Sequence, residues 1–297
     1  MRQGLANALG SRFGACAALL LSACASTPSA IEAPVAPATL TAAEFPGAAG
    51  LLAGFSTCDA GEWRAGDAVL FGLRLRRDGE LRRWLLRLEV VQPTCDEEPR
   101  VWDIEVNGTP ERFESALCRL RATVCDGDGI VLGESVVSAP LDFLANGFAS
   151  VCASIVAGKP TTAREMAFGV VSAMALLETV RQDPALSPVF WAVVEKPSVW
   201  SLLGNLGVSL LVRPDFEAVA VRAAPDAAMP VATAFSVPVE LQVNERPALL
   251  AELVVGAPRA PLGVGAGVLA AKARHPSMPG LEVELQLLAA RRAVAPR

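Results

Sequence analysis

The chain has 297 residues, with 31 acidic against 26 basic side chains and a formal net charge of −5. That balance excludes the basic footprint of a nucleic-acid binder and opposes general adhesion to anionic lipid headgroups. The length is ample for a buried core, in one large domain or two. Lysine is confined to Lys159, Lys196 and Lys272, alanine is abundant and tyrosine absent, which reads as the composition of a GC-rich genome rather than a functional choice.

The chain opens with Arg2 and Arg12 and no acid, then an apolar run from Phe13 to Leu21, then the small residues Ser22 and Ala23 before Cys24. A basic start, a short apolar stretch and a small-residue site are the parts of an export signal. The run is too short to cross a bilayer core, which takes about 20 helical residues. Leu21-Ser22-Ala23-Cys24 resembles the lipobox of bacterial lipoproteins, and the resemblance is confined to the first 24 residues. It implies diacylglyceryl transfer to the Cys24 thiol, cleavage before Cys24, and acylation of the new amine by fatty acids such as palmitate. Two or three acyl chains make a stable membrane anchor, whereas one is marginal. Ala25, standing where Asp would favour retention at the inner membrane, implies the outer membrane of a two-membrane envelope, facing the periplasm or the surface. The competing readings are a plain secretory signal that leaves Cys24 unmodified, and a buried N-terminal helix. Position, flanks and motif together favour the lipoprotein form. Removing residues 1–23 leaves 274 and takes the formal charge to −7, since Arg2 and Arg12 go with them.

Residues 24–49 are dominated by Ala, Pro, Ser, Thr and Gly without helical or strand period, so they are expected to form a flexible tether. A globular region over 50–297 is expected to follow. It is β-rich over 60–137, helical over 138–206 and β-rich again over 207–292, as one domain or two packed halves.

The first β signal is a hairpin. Val69, Phe71, Leu73 and Leu75 alternate with Leu70, Gly72, Arg74 and Arg76, Asp78-Gly79 supplies a two-residue turn, and Trp84, Leu86, Leu88 and Val90 return on one face. That turn pairs Arg77 with Glu80, Leu73 with Trp84 and Phe71 with Leu86. The other face carries Arg74, Arg76, Arg83 and Arg87, either an anion site or a solvated ionic face. The stretch from Val101 to Val106 sets Asp103 and Glu105 opposite Trp102, Ile104 and Val106, so it is expected to lie beside the hairpin and neutralise those arginines. A second hairpin is expected from Leu117–Cys125 and Ile130–Val137 around Asp126-Gly127-Asp128-Gly129. The turn resembles a calcium loop, but Ile130 and Val131 stand where ligand and glycine are needed, so a plain turn is favoured.

Ser138 is then expected to cap a helix with Pro140 in its first turn, ended by Gly158-Lys159-Pro160. Thr162 to Glu165 is a capping-box pattern opening a second helix, uncharged from Met166 to Leu177 and so expected to be buried on most sides. Shorter helices restart at Asp183-Pro184 and Ser187-Pro188, and Ser198 is expected to cap another carrying Trp200. Met166, Met174, Trp191 and Trp200 are read as core before pocket lining. Strands return from Val208, with alternation over Val237–Asn244, Leu249–Val255 and Leu281–Leu287. Sheet, helices, sheet gives an α+β class, antiparallel β segments flanking a central block of apolar helices.

Five cysteines remain beyond Cys16 and Cys24. Cys118 and Cys125, on one strand and facing opposite ways, cannot pair. Cys58–Cys95, at the open end of the first hairpin, and Cys118–Cys152 are the candidate disulfides. The absence of Cys-x-x-Cys argues against thioredoxin-like and zinc-ribbon chemistry. His275, placed in a Pro-Ser-Met-Pro-Gly loop, is the one histidine, which leaves His-based metal sites and Ser-His-Asp catalysis without partners. Gly263 to Gly267 lacks the spacing of a nucleotide-binding fingerprint. Neither a metal nor a cofactor is therefore expected. The reading is a non-enzymatic, lipid-anchored envelope module that binds an envelope protein or the cell wall. The alternative is a carrier of a hydrophobic ligand, its apolar helices covering a curved sheet. A carboxylate hydrolase using pairs such as Glu111 and Glu114 ranks third.

Overall fold

The computed structural model describes residues 40, 42–52, 64–106, 108–140, 162–194, 208–212, 217–222, 231–243, 246–256, 268–275 and 278–291. The first hairpin forms as its residues dictate. β1 (Ala68–Arg77) and β2 (Glu80–Gln92) pair with Leu73 opposite Trp84, Phe71 opposite Leu86 and Arg77 opposite Glu80. Asp78 (φ 48°) and Gly79 (φ 86°) both take the left-handed region that a tight two-residue turn requires. β5 (Leu117–Asp126) and β6 (Val131–Pro140) make the second hairpin. Its turn is closed by the Asp126 carboxylate, which accepts the N–H groups of Asp128 (3.0 Å) and Ile130 (2.9 Å). Those bonds make it a plain turn with the aspartate spent on backbone.

The remaining strands are β7 (Val208–Val212), β8 (Glu217–Arg222), β9 (Val231–Val243), β10 (Arg246–Gly256), β11 (Val268–His275) and β12 (Met278–Arg291). With β1, β2, β5 and β6 they build one ten-stranded sheet in the order β6-β5-β2-β1-β12-β11-β10-β9-β7, with β8 also paired to β9. Each of these pairings is antiparallel. This overturns the expected α+β arrangement with helices at its centre. The two β-rich stretches meet edge to edge through β1 and β12, where Arg74 faces Glu284 and Arg76 faces Glu282. The helices α2 (Ala163–Gln182) and α3 (Ser187–Val194) do not separate them. Instead Ala185, Leu186 and Val189 pack on one face of the sheet, against Leu73, Ala122, Val124 and the flanking Trp84, Leu86, Leu88, Val283 and Leu285.

β3 (Arg100–Val106) and β4 (Thr109–Ser115) form a separate two-stranded sheet. Ile104, Val106 and Phe113 turn towards α2 and meet Ala167, Val171 and Ala175. The expected face of Trp102, Ile104 and Val106 is therefore the packed one, but Asp103 and Glu105 do not neutralise the hairpin arginines. Their strand has its apolar face committed to α2 rather than to the main sheet, and Asp103 lies 3.9 Å from Arg112 instead.

Two boundaries also move. The expected tether ends early: Leu40, Phe45 and Ala48, the last opening a short helix α1 (Ala48–Leu52), are 1% exposed. They pack with Leu70, Leu85, Cys125, Leu288 and Ala289 on the sheet face opposite α3. The Gly47 N–H donates to the Gly127 carbonyl (3.0 Å), and a Cβ at Gly47 would lie 2.1 Å from the Gly129 nitrogen, so this crossing needs glycine. Ser138 caps no helix; it and Pro140 belong to β6, where Ser138 faces Arg119 and Pro140 faces Leu117. Proline is tolerated there because it ends an edge strand. The helix ends expected near Gly158 and Ser198, and Gly263 to Gly267, lie outside the described residues.

The capping box is present. The Thr162 hydroxyl accepts the Glu165 N–H (3.2 Å), and the Glu165 carboxylate accepts the Thr162 N–H (2.7 Å). These bonds hold the Glu165 carboxyl below its usual range, the Thr162 backbone contributing most and its side chain next. A carboxyl with a depressed folded-state pKa contributes stability above its unfolded pKa and loses it as pH falls through the folded value. Thr162→Ala is expected to cost about 1 kcal/mol near neutrality. In urea unfolding followed by helical circular dichroism, that cost should shrink once the pH drops below the ordinary glutamate range; a cost constant with pH would remove the box from the account.

Candidate functional site

Three groups of chemically able side chains stand out. The first is a row of alternating charge crossing four strands: Arg74 (β1), Glu284 (β12), Lys272 (β11) and Glu252 (β10) are successive cross-strand neighbours. Arg74 Nε donates to Glu284 Oε2 (2.6 Å), Arg74 Nη2 reaches the same oxygen, and Lys272 Nζ lies 3.3 Å from Oε1. Arg74 Nη1 also binds Glu44 (2.6 Å), the acid of the segment that leads into α1. The Glu284 side chain is 7% exposed. With both oxygens engaged by cations, this carboxylate is built to hold strands and the N-terminal segment together rather than to move a proton. Of the hairpin arginines, Arg76 fits the solvated ionic reading, 55% exposed and paired with Glu282; Arg74 is held by the nearly buried Glu284, and Arg87 meets Glu89 at 2.7 Å.

The second group lines an open groove between β4 and the start of α2, of about 330 Å³, formed by Arg112, Phe113, Glu114, Arg164, Glu165 and Phe168. The Arg164 guanidinium sits 5.5 Å from the Phe113 ring centroid and 3.2 Å from Glu111, and Phe113 stacks on Phe168 at 5.9 Å. Glu165 serves the cap. The groove is a joint whose polar groups fasten β4 to α2. Glu111 and Glu114, three apart on a strand, lie on opposite faces, so this pair does not converge for acid–base work.

The third group is the thiols. Cys95, Cys118 and Cys125 are buried and free. Cys118 lies with Val90, Leu120 and Ala139 on one face of β5, and Cys125 with Leu70 and Leu85 on the other, as their spacing required. Burial first, and then the neighbouring Cys95, pushes the Cys118 thiol up to about 11. It is therefore a poor nucleophile at neutral pH. The expected Cys58–Cys95 and Cys118–Cys152 bonds are not made here. Cys95 Sγ is turned to donate to the Leu117 carbonyl (3.3 Å), and Cys118 is enclosed by its apolar cluster. Cys58 and Cys152 themselves lie outside the described residues, as does Cys24.

Trp191 is half-buried on α3, edge-on to Phe190 at 5.0 Å. The side chains of Met166 and Met174, and all of Trp200, fall outside the described residues. His275 ends strand β11, paired with Met278, rather than sitting in a loop. Sequence reasoning missed Asp183. This residue is 1% exposed. Its Oδ1 accepts the N–H groups of Ala185 (2.9 Å) and Leu186 (2.8 Å), and its Oδ2 accepts Ser135 Oγ (2.6 Å). It ties the α2–α3 turn to β6. The Asp183-Pro184 signal marked the helix restart but carried no sign of the long-range bond.

No family model and no curated protein matches the chain. Among solved structures, a protein described as exported, with a YmcC-like fold, from Bacteroides fragilis overlaps 79% of this chain and 100% of its own, at 10% identity and a TM-score of 0.31. A chain described as a lipoprotein from Parabacteroides distasonis overlaps 80% of this chain and 100% of its own, at 6% identity and a TM-score of 0.30. A chain described as an outer membrane lipoprotein-sorting protein domain, from Vibrio parahaemolyticus, overlaps 78% of this chain and 87% of its own, at 8% identity and a TM-score of 0.19. Scores this low transfer neither fold nor role.

Proposed function

We propose that this chain is a lipid-anchored protein of the bacterial cell envelope whose folded body is a non-enzymatic binding or structural module. The observation that carries the reading is the export signal ending in Leu21-Ser22-Ala23-Cys24. Behind it stands a body whose packed residues include Leu40, Phe45 and Ala48. The non-enzymatic half is supported by how the carboxylates are used. Glu284 is held by two cations, Asp183 by backbone and Ser135, and Glu165 by its cap. Ala25 favours the outer membrane as the place of anchoring.

The test is the intact mass of protein extracted from membranes, beside a Cys24→Ser variant. The expected result is a chain beginning at Cys24 and carrying acyl chains, with acylation and membrane retention both lost in the variant. A chain beginning near residue 24 without acyl mass, released in soluble form from the wild type, would overturn the anchor.

A further inference from the structure

We propose that Cys95 and Cys118 join in a disulfide that closes the neck of the β3–β4 hairpin. The two cysteines bracket that hairpin. The chain leaves the main sheet after β2, forms β3 and β4, and re-enters the sheet at β5. At the point of departure it still lies beside β5. Gln92 is paired with Arg119, and the Cys95 N–H donates to the Leu117 carbonyl (2.9 Å). Both thiols are buried, Cys95 at 7% and Cys118 at 1% exposure.

That one hydrogen bond limits how far apart the two residues are. The Leu117 carbonyl belongs to the peptide group that ends at the Cys118 Cα. With standard bond lengths, the Cα atoms of Cys95 and Cys118 are then no more than about 7 Å apart, within the reach of a disulfide. The Cys95 sulfur is turned the same way, 3.3 Å from the same carbonyl oxygen. The two thiols also sense each other: after burial, Cys95 is the next cause that holds the proton on Cys118. The S–H bond to Leu117 is no obstacle. A thiol is a weak donor, and the carbonyl keeps the Cys95 N–H once the thiol proton is gone. Cys118 lies among Val90, Leu120 and Ala139, an apolar setting that suits a disulfide, which has no proton to satisfy. Cys125 faces Leu70 and Leu85 on the other side of β5, out of reach of Cys118.

The bond needs an oxidant, and it rests on the export reading for an oxidising compartment. The oxidant is a disulfide, R–S–S–R, either small or carried by an envelope protein. One cysteine thiolate attacks a sulfur of R–S–S–R, expels RS⁻ and forms a mixed disulfide. The second cysteine thiolate then attacks the first cysteine's sulfur and expels the other RS⁻. Two protein thiols are oxidised, R–S–S–R is reduced to two R–SH, and the two thiol protons end on the leaving thiolates. With its thiol pushed up to about 11, Cys118 is a poor attacker in the folded chain, so the bond is made while the chain folds. Once made, it ties both strands at the base of a hairpin whose apolar face is packed on α2 through Ile104, Val106 and Phe113.

Two preparations of the full chain separate the pair from the compartment. In one, protein made with its signal is extracted from membranes into an alkylating agent and mapped as non-reduced peptides. In the other, reduced protein is refolded from denaturant in glutathione and glutathione disulfide, then mapped the same way. Both should give the Cys95–Cys118 link, at least tenfold above any other pairing of these two residues, with Cys125 alkylated. The link should persist when Cys58→Ser and Cys152→Ser are combined. Cys95→Ser should lower the melting temperature by about 4–10 °C under oxidising conditions, and much less in dithiothreitol. The link in refolded protein, beside free thiols in extracted protein, would uphold the pair and count against the export reading. Cys95 or Cys118 left free after refolding, or joined to Cys58, Cys125 or Cys152 instead, would overturn the pair.

Discussion

Glu284→Ala is expected to destabilise the folded chain by about 3–5 kcal/mol, the scale for breaking a buried ion pair by removing one partner. The substitution leaves Arg74 and Lys272, each about a quarter exposed, facing a gap where one carboxylate served both. Glu44 still holds one nitrogen of Arg74, and Glu252 remains the cross-strand neighbour of Lys272, so the cost should fall towards the lower end of that range. The control lies one row along the same two strands. Arg76 and Glu282 are 3.7 Å apart with side chains 55% and 38% exposed, and such surface pairs contribute about 0–1 kcal/mol. Glu282→Ala should accordingly be nearly silent. Urea unfolding of both variants at two salt concentrations checks this. The Glu284 cost should resist salt, since buried pairs are screened little, whereas comparable costs at the two positions would place Glu284 in water.

The same two glutamates show where the sequence stopped being readable. Each local element with its own chemistry was legible: the Asp78-Gly79 turn set the β1–β2 register, the Thr162 box set the start of α2, and alternation marked β9, β10 and β12. What joins distant elements was not. Arg74 and Arg76 need two acids spaced by two, and both Asp103/Glu105 and Glu282/Glu284 satisfy that spacing. The nearer pair looked the natural partner, and choosing it split the sheet into two β regions around the helices. The competitor won because Trp102, Ile104 and Val106 found their apolar partner in α2, which removed β3 from the main sheet. Low complexity misled in the same way at the N-terminus. Proline and alanine around Leu40 and Phe45 read as tether, yet two large apolar side chains suffice to dock such a stretch on a sheet face that alternation had marked as polar. Of the candidate site, Cys24 was legible because a signal is a local motif. The ionic row, the Asp183 bond and the nearness of Cys95 to Cys118 were not, because each depends on which strands are neighbours.

The docking of Phe45 can be tested through its contact with Gly72. Phe45 is 1% exposed, and its truncation to alanine should cost about 3–5 kcal/mol. Gly72 lies beneath it: a Cβ there would fall 2.6 Å from Phe45 Cε2 and Cζ and 3.1 Å from Leu288 Cδ1. The flanking Phe45 ring therefore leaves no room for a methyl group, and Gly72→Ala should cost about 1–3 kcal/mol by overpacking. Strand backbone, however, otherwise gains from that change, by about 0.4–1 kcal/mol through the unfolded chain, wherever a methyl group fits without strain. In a Phe45→Ala background the ring is gone and Leu288 need yield only a few tenths of an ångström. Gly72→Ala should then turn from destabilising to neutral or stabilising, a coupling of about 1–3 kcal/mol in the double-mutant cycle. Denaturant unfolding of the four proteins reads it directly. A tether that merely brushed the sheet would give additive substitutions, because nothing above Gly72 would be there to relieve. A change of sign instead requires Phe45 to be seated on β1. The packed body then reaches back at least to Phe45, inside the stretch whose composition reads as a tether.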